Sequence, residues 1–247
     1  MSTDSSPRLV ARRLRAYGVH VLTASGVVLA LLSIGELFSA QPDLRWVFGY
    51  LGAAIIIDAV DGSLAREWDV LTYAASTEGH TLDDLVDYLT FTFIPLVVVW
   101  QMDWLVGPTT LWIAAALMAS LFGFSHAEAK QSDNGFFRGF PSYWNLVAYY
   151  IGLIVTAFPE HGSLLMTGLV IVLAVLTVVP IQVLYPTRTP KPWRAPVLWG
   201  GVVWAVLLAA MLPTYPHVPA WGDPWLLPAS LLYPLFYSVL SYVVAYR

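Results

Sequence analysis

Aspartates carry the chemistry this chain can do. Asp58 and Asp61 stand three apart and are followed by Gly62, Ala65 and Arg66. At helical offsets of three, four, seven and eight from Asp58, these residues share one face. Further on, Gly79, Asp83 and Asp87 follow one another at intervals of four and again share a face. Asp84 is turned about 100° from Asp83 and belongs elsewhere. An ionisable side chain within a bilayer span costs about 2.5–3.5 kcal/mol on insertion scales, so such residues point to function. Two antiparallel helices, each presenting two carboxylates, gather four negative charges in a small volume, which is unstable without compensation. Hard divalent cations resolve this, because Mg²⁺ and its like take oxygen ligands and complete their shell with phosphates and water. Two ions held by Asp58, Asp61, Asp83 and Asp87 make a phosphate-handling site. Gly62 and Ala65 leave a groove beside the helix, and Arg66 offers a fixed positive charge to phosphate oxygens.

Two other readings stand beside this one. Asp83 and Asp84 lie near the start of a span, where capping is their plainest use; capping accounts neither for Asp87 nor for Asp58 with Asp61. A cation-coupled transporter also keeps carboxylates in mid-bundle, but it calls for discontinuous helices in related halves. The sequence has no such repeat.

The elements that must position these residues follow from composition. Of 247 residues, 58% are hydrophobic and only 11% charged, against roughly 25% charged in soluble domains. About 20 apolar residues make one helical crossing. Eight stretches qualify, near 18–38, 46–66, 82–102, 109–129, 143–158, 163–184, 195–212 and 225–246. They lack the period-two alternation of a barrel, so the expected fold is an all-α polytopic membrane bundle with one transmembrane catalytic domain over 18–247. There is no cysteine, which excludes disulfides, thiolate metal sites and cysteine nucleophiles. The net charge of −4 gives no pointer to nucleic acid.

With a cytoplasmic N-terminus and eight crossings, eleven of the twelve basic residues fall on the cytoplasmic side and Arg45 alone falls outside. That asymmetry obeys the positive-inside rule and puts both termini in the cytoplasm. Residues 1–17 read as a basic interfacial helix: Leu9, Val10 and Leu14 are interleaved with Arg8, Arg12, Arg13 and Arg15, a pattern suited to anionic headgroups. A disordered basic tail that merely fixes topology is the alternative. A cleavable signal peptide is not expected, since the following span is long and no small-residue cleavage pattern is evident.

The run Asp58-Ala59-Val60-Asp61-Gly62-Ser63-Leu64-Ala65-Arg66, then Gly79, Asp83 and Asp87, resembles the signature of the CDP-alcohol phosphotransferases, D-x-x-D-G-x-x-A-R … G-x-x-x-D-x-x-x-D. All eight fixed residues are present. The one departure is the interval from Arg66 to Gly79, which holds twelve residues and is longer than in most of the family. That longer form, and the run Phe140-Pro141-Ser142-Tyr143-Trp144-Asn145, resemble a bacterial branch whose acceptor is free choline. The resemblance implies an inner-membrane enzyme, working as a homodimer, that converts CDP-diacylglycerol and choline into phosphatidylcholine and CMP. It implies two Mg²⁺ or Mn²⁺ ions on Asp58, Asp61, Asp83 and Asp87, with Asp87 as general base. Gly62, Ala65, Arg66 and Gly79 would line the cytidine diphosphate site.

Choice of acceptor rests on fewer residues. An alcohol phosphate needs extra basic side chains, and the spans hold almost none beyond Arg66. A quaternary ammonium needs aromatic faces, each giving about 0.5–2 kcal/mol. Phe136, Phe137, Phe140, Tyr149 and Tyr185 are candidates, and Glu128, Tyr143, Trp144 and Asn145 are the preferred choline set; with 14% aromatics, packing or an interfacial belt is the competing use of each ring. The same chemistry with serine, glycerol phosphate or inositol phosphate is the neighbouring alternative. Thr23 on the first span could contact the nucleotide, or be bonded back to its own helix. Pro180 and Pro186 either open a lateral path for acyl chains or are ordinary membrane-helix prolines.

Overall fold

Pro7 opens the first helix with its φ already helical and no N–H to satisfy, and Ser6 before it accepts from the Leu9 N–H at 3.4 Å. The computed structural model describes residues 6–125 and 135–246, and the chain packs as two compact units, Met1–Ile94 and Pro95–Arg247.

The first unit begins with α1 (Pro7–Ala24), α2 (Gly26–Leu37) and α3 (Leu44–Glu67). Helix α1 runs through Tyr17 without a break, because Ala16, Val19, His20 and Thr23 bury one continuous face. That face outweighs the roughly 1 kcal/mol that Gly18 costs a helix. The break falls at Ser25, whose hydroxyl turns back on the Leu22 carbonyl at 2.6 Å. At Gly26 an added Cβ would lie 2.5 Å from Val86 Cγ1, so the missing side chain is what lets the next helices approach. Asp43 caps α3 by accepting from the Arg45 N–H at 3.0 Å. The Arg45 guanidinium hydrogen-bonds the same carboxyl and holds it below the usual carboxylate range.

The long interval after Arg66 is not an open loop. It contains α4 (Val70–Tyr73), and Val70 and Ala74 pack with Ala16 and Val19 of α1 in one buried cluster. Burying a valine side chain contributes about 1.5–3 kcal/mol, enough to hold a single turn that would not persist alone. Arg12 Nη1 donates to the Tyr73 hydroxyl at 2.6 Å and the Tyr17 and Ser76 hydroxyls share a 2.6 Å hydrogen bond, tying the interval to α1 at two further points. Helix α5 (Gly79–Asp87) follows and passes at Tyr88 into a π-helical segment, Tyr88–Phe93.

Helix α6 (Ile94–Gln101) carries the chain into the second unit. There α7 (Thr109–Ser125), α8 (Trp144–Ala157), α9 (Gly162–Val178), α10 (Lys191–Met211) and α11 (Leu226–Ala245) are all apolar. Beside the helices, the described residues hold one short piece of sheet. Strands β1 (Phe136–Arg138) and β2 (Gln182–Leu184) form an antiparallel ribbon that pairs Phe136 with Leu184. The span expected to reach residue 184 ends at Val178 because Pro180 pushes Val179 into extended backbone, φ −75° and ψ 133°. The chain beyond then finds its hydrogen bonds in β1.

Among the described residues, four helical stretches are long and apolar enough to cross a bilayer, Pro7–Leu37, Leu44–Glu67, Lys191–Thr214 and Leu226–Ala245. The apolar helices α7, α8 and α9 are shorter. Large apolar side chains such as Val21, Leu31, Ile56, Val206 and Leu235 are exposed, as a lipid-facing surface requires. The chain is a helical integral membrane protein.

Candidate active site

Within the first unit, α1, α3, the α4 interval and α5 line an open cavity of about 910 Å³. Helix α1 lines it with Val19, His20 and Thr23, α3 with Asp61, Gly62, Ala65 and Arg66, and α5 with Gly79, His80 and Asp83. The interval between Arg66 and Gly79 supplies further wall, including Asp69, Val70 and Glu78. Its extra length therefore becomes part of the lining.

Carboxylate oxygens of Asp58, Asp83 and Asp87 come within 4.8 Å of one another, across α3 and α5. An all-oxygen set of that span suits a hard divalent ion. Asp61 is outside this trio. It is 6% exposed, and its Oδ2 accepts from the Thr23 hydroxyl at 2.6 Å. Thr23 also lies 3.3 Å from the Val19 carbonyl, but its single proton belongs to the shorter, charge-assisted bond. Thr23 lines the cavity and also touches its own helix, while its main partner is an aspartate. Asp84 is less remote than its helical phase suggests. It forms a second close group with Asp83 and His80, with His80 Nδ1 3.7 Å from Asp84 Oδ2 on an exposed edge.

Arg66 folds back over its own helix, with Nη2 3.3 Å from Ser63 Oγ. A Cβ at Gly62 would meet the Arg66 guanidinium at 3.6 Å, an ordinary van der Waals contact. Gly79 has a neighbour that its motif does not announce. A Cβ there would lie 3.0 Å from His20 Cε1, and His20 is 8% exposed. The only sign of His20 in the sequence is a polar residue three positions before Thr23, in helical phase with it.

The choline candidates belong to the second unit or fall outside the described residues, as Glu128 does. Tyr143 is half-buried just before α8, edge-on to Phe137 with centroids 6.5 Å apart. Phe137 also packs on Tyr185 at 4.6 Å, and the Arg188 guanidinium lies 6.0 Å from the Tyr185 ring. Trp144 is fully buried, with its indole N–H donated to Ser120 Oγ at 2.8 Å. Asn145 is 3% exposed and accepts from the Leu146 N–H at 2.8 Å. Tyr149 stacks on Tyr215 and gives its hydroxyl to the Leu208 carbonyl, which makes it a packing residue.

A profile of the family described as CDP-alcohol phosphatidyltransferase matches residues 19–207, a stretch that includes every aspartate above. A phosphatidylcholine synthase of Bradyrhizobium diazoefficiens is 38% identical over 83% of this chain and 73% of its own length. One from Rhizobium meliloti is 31% identical over 96% of this chain and 93% of its own. One from Pseudomonas aeruginosa is 37% identical over 81% and 82%.

Proposed function

The chain belongs to the CDP-alcohol phosphatidyltransferase family, and from that premise we propose that it transfers the phosphatidyl group of CDP-diacylglycerol to choline, giving phosphatidylcholine and CMP. One observation carries the reading: Asp58, Asp83 and Asp87, in the family's motif phase, close to within 4.8 Å across two helices. The names of the relatives support choline as the acceptor.

Asp87 takes the proton of the choline hydroxyl while that oxygen attacks the phosphorus bearing the diacylglycerol oxygen. The bond from this phosphorus to the bridging oxygen breaks, and CMP departs with that oxygen. A carboxylate is a weak base toward an alcohol, so proton transfer and attack are concerted. Mg²⁺ or Mn²⁺, two ions held by Asp58, Asp61, Asp83 and Asp87, would supply charge neutralisation on the diphosphate and the departing CMP. Arg66 swings from Ser63 to the phosphate oxygens. Gly62, Ala65, Gly79 and Thr23 form the nucleotide's wall. Glu128, Tyr143, Trp144 and Asn145 are the residues we assign to the trimethylammonium group.

This reading also includes eight crossings with both termini in the cytoplasm of a bacterial inner membrane. It includes a basic interfacial segment before a single catalytic domain, and a homodimer. The deciding experiment is CMP release from CDP-diacylglycerol by the purified chain in proteoliposomes, with choline, serine, inositol phosphate and glycerol phosphate compared. Choline-dependent release that needs Mn²⁺ or Mg²⁺ and stops with chelator is expected. Release driven by another alcohol replaces the acceptor, and no release with any of them removes the reaction.

A further inference from the structure

Among the described residues, the buried side-chain atoms without a hydrogen-bond partner are His20 Nε2, Thr92 Oγ1 and Asn145 Nδ2. Of these, His20 lines the cavity that also holds Asp61, Arg66 and Asp83. A buried polar atom left unpaired is costly, and natural proteins rarely keep one without a use. The imidazole is also flanked on two sides. Tyr17 meets it edge-on at 6.3 Å, and Tyr17 is itself tied to Ser76. On the other side the absent Cβ of Gly79 admits it.

Depth in the site decides what His20 meets. Asp87, Asp83 and Gly79 mark successive turns of α5, each about 6 Å apart along the axis. Thr23 sits at the level of Asp61 through its hydrogen bond, and His20 sits at the level of Gly79, one turn nearer the helix start. The diphosphate belongs with the aspartates, and the diacylglycerol must leave toward the bilayer. What remains for the Gly79 level is the nucleoside. We propose that the His20 imidazole turns to bring its unpaired Nε2 into the cavity and hydrogen-bonds the nucleoside of the CDP-activated lipid, making His20 a nucleotide-binding residue outside the aspartate signature. Gly79 then works in this chain by making room for the imidazole. The inference rests on the function proposed above.

The test uses the full chain in proteoliposomes and three variants: His20→Phe, which keeps a ring against Tyr17 and Gly79, His20→Ala and His20→Asn. The expected result is a rise of about three- to tenfold in the CDP-diacylglycerol KM and in the CMP inhibition constant for His20→Phe and His20→Ala, the size of one lost hydrogen bond. The choline KM should stay put, and His20→Asn should recover part of the loss. Unchanged CMP inhibition in both variants would mean that water satisfies the imidazole and would overturn the proposal, as would an equal shift in the choline KM. Should His20→Phe unfold, His20→Ala against wild type gives the same readout. CMP binding followed by thermal shift separates the two claims. Binding that weakens in the variants while the wild type lacks turnover keeps the subsite and removes the reaction; turnover with indifferent His20 variants removes the subsite alone.

Discussion

Thr23 and Asp61, 38 residues apart in sequence, are joined by a 2.6 Å hydrogen bond inside the first unit. The hydroxyl donates and fixes the rotamer of the carboxylate. An outer partner of this kind typically contributes 10–100-fold to metal affinity. Thr23→Val keeps the shape and removes the donor, leaving a buried carboxylate oxygen unsatisfied. The concentration of Mn²⁺ giving half-maximal CMP release should rise about tenfold or more, and Thr23→Ser should restore most of it. A metal titration curve that does not move in Thr23→Val would show that Asp61 needs no such support.

The two carboxylate groups on α5 should separate functionally. Asp87→Asn, which removes the proposed base and a ligand at once, should lower kcat at least about a hundredfold. Asp84, whose partner is the exposed His80, should tolerate Asn with a change below about fivefold, as surface pairs contribute little. Near-normal turnover in Asp87→Asn would take that residue out of the chemistry. A collapse in Asp84→Asn would move the metal toward His80.

The clamp on the α4 interval makes a different kind of prediction. Arg12 reaches Tyr73 both through the hydroxyl and with its guanidinium 5.5 Å from the ring centroid, on an exposed surface where each contact is worth about 1 kcal/mol or less. Because this interval walls the cavity, Arg12→Ala and Tyr73→Ala should each raise the CDP-diacylglycerol KM by about two- to fivefold. The double variant should be no worse than either single one. Additive effects in this cycle would show that the two residues act independently.

The legible and illegible parts of this molecule divide along a physical line. The aspartates could be read because helical spacing brings Asp58 and Asp61 to one face and Asp83 and Asp87 to another, and because charge in an apolar stretch demands a reason. The membrane helices could be read from apolar length. What could not be read depends on partners distant in sequence. Nothing local to Tyr73 or Ser76 announces Arg12 and Tyr17 as their partners. His20 sits in an apolar run whose sequence does not say which face meets lipid. The α9 boundary was legible in principle, since Pro180 stood in the sequence, but the gain from pairing with Phe136–Arg138 lies 40 residues away. Asp61 differs again: its bond to Thr23 is set by the approach of α1, which spacing within α3 does not encode.

The contact between Gly26 and Val86 links packing to catalysis most directly. Val86 is buried at 7% exposure and lies between Asp83 and Asp87 on α5. An alanine at position 26 would bring its Cβ to 2.5 Å from Val86 Cγ1, closer than packed carbons tolerate, so α5 must yield or Val86 must leave its rotamer. Overpacking of this kind costs about 1–3 kcal/mol. Gly26→Ala should therefore lower the melting temperature, and it should also depress kcat, because the displaced segment carries two carboxylates of the trio. Val86→Ala removes the clashing methyl groups. The double variant Gly26→Ala, Val86→Ala should accordingly recover activity that the single Gly26→Ala lacks, though it leaves a smaller side chain in the core. Rescue would tie the geometry of the aspartates to the closeness of this helix crossing; a double variant as slow as the single one would mean that Gly26 serves the break at Ser25 instead.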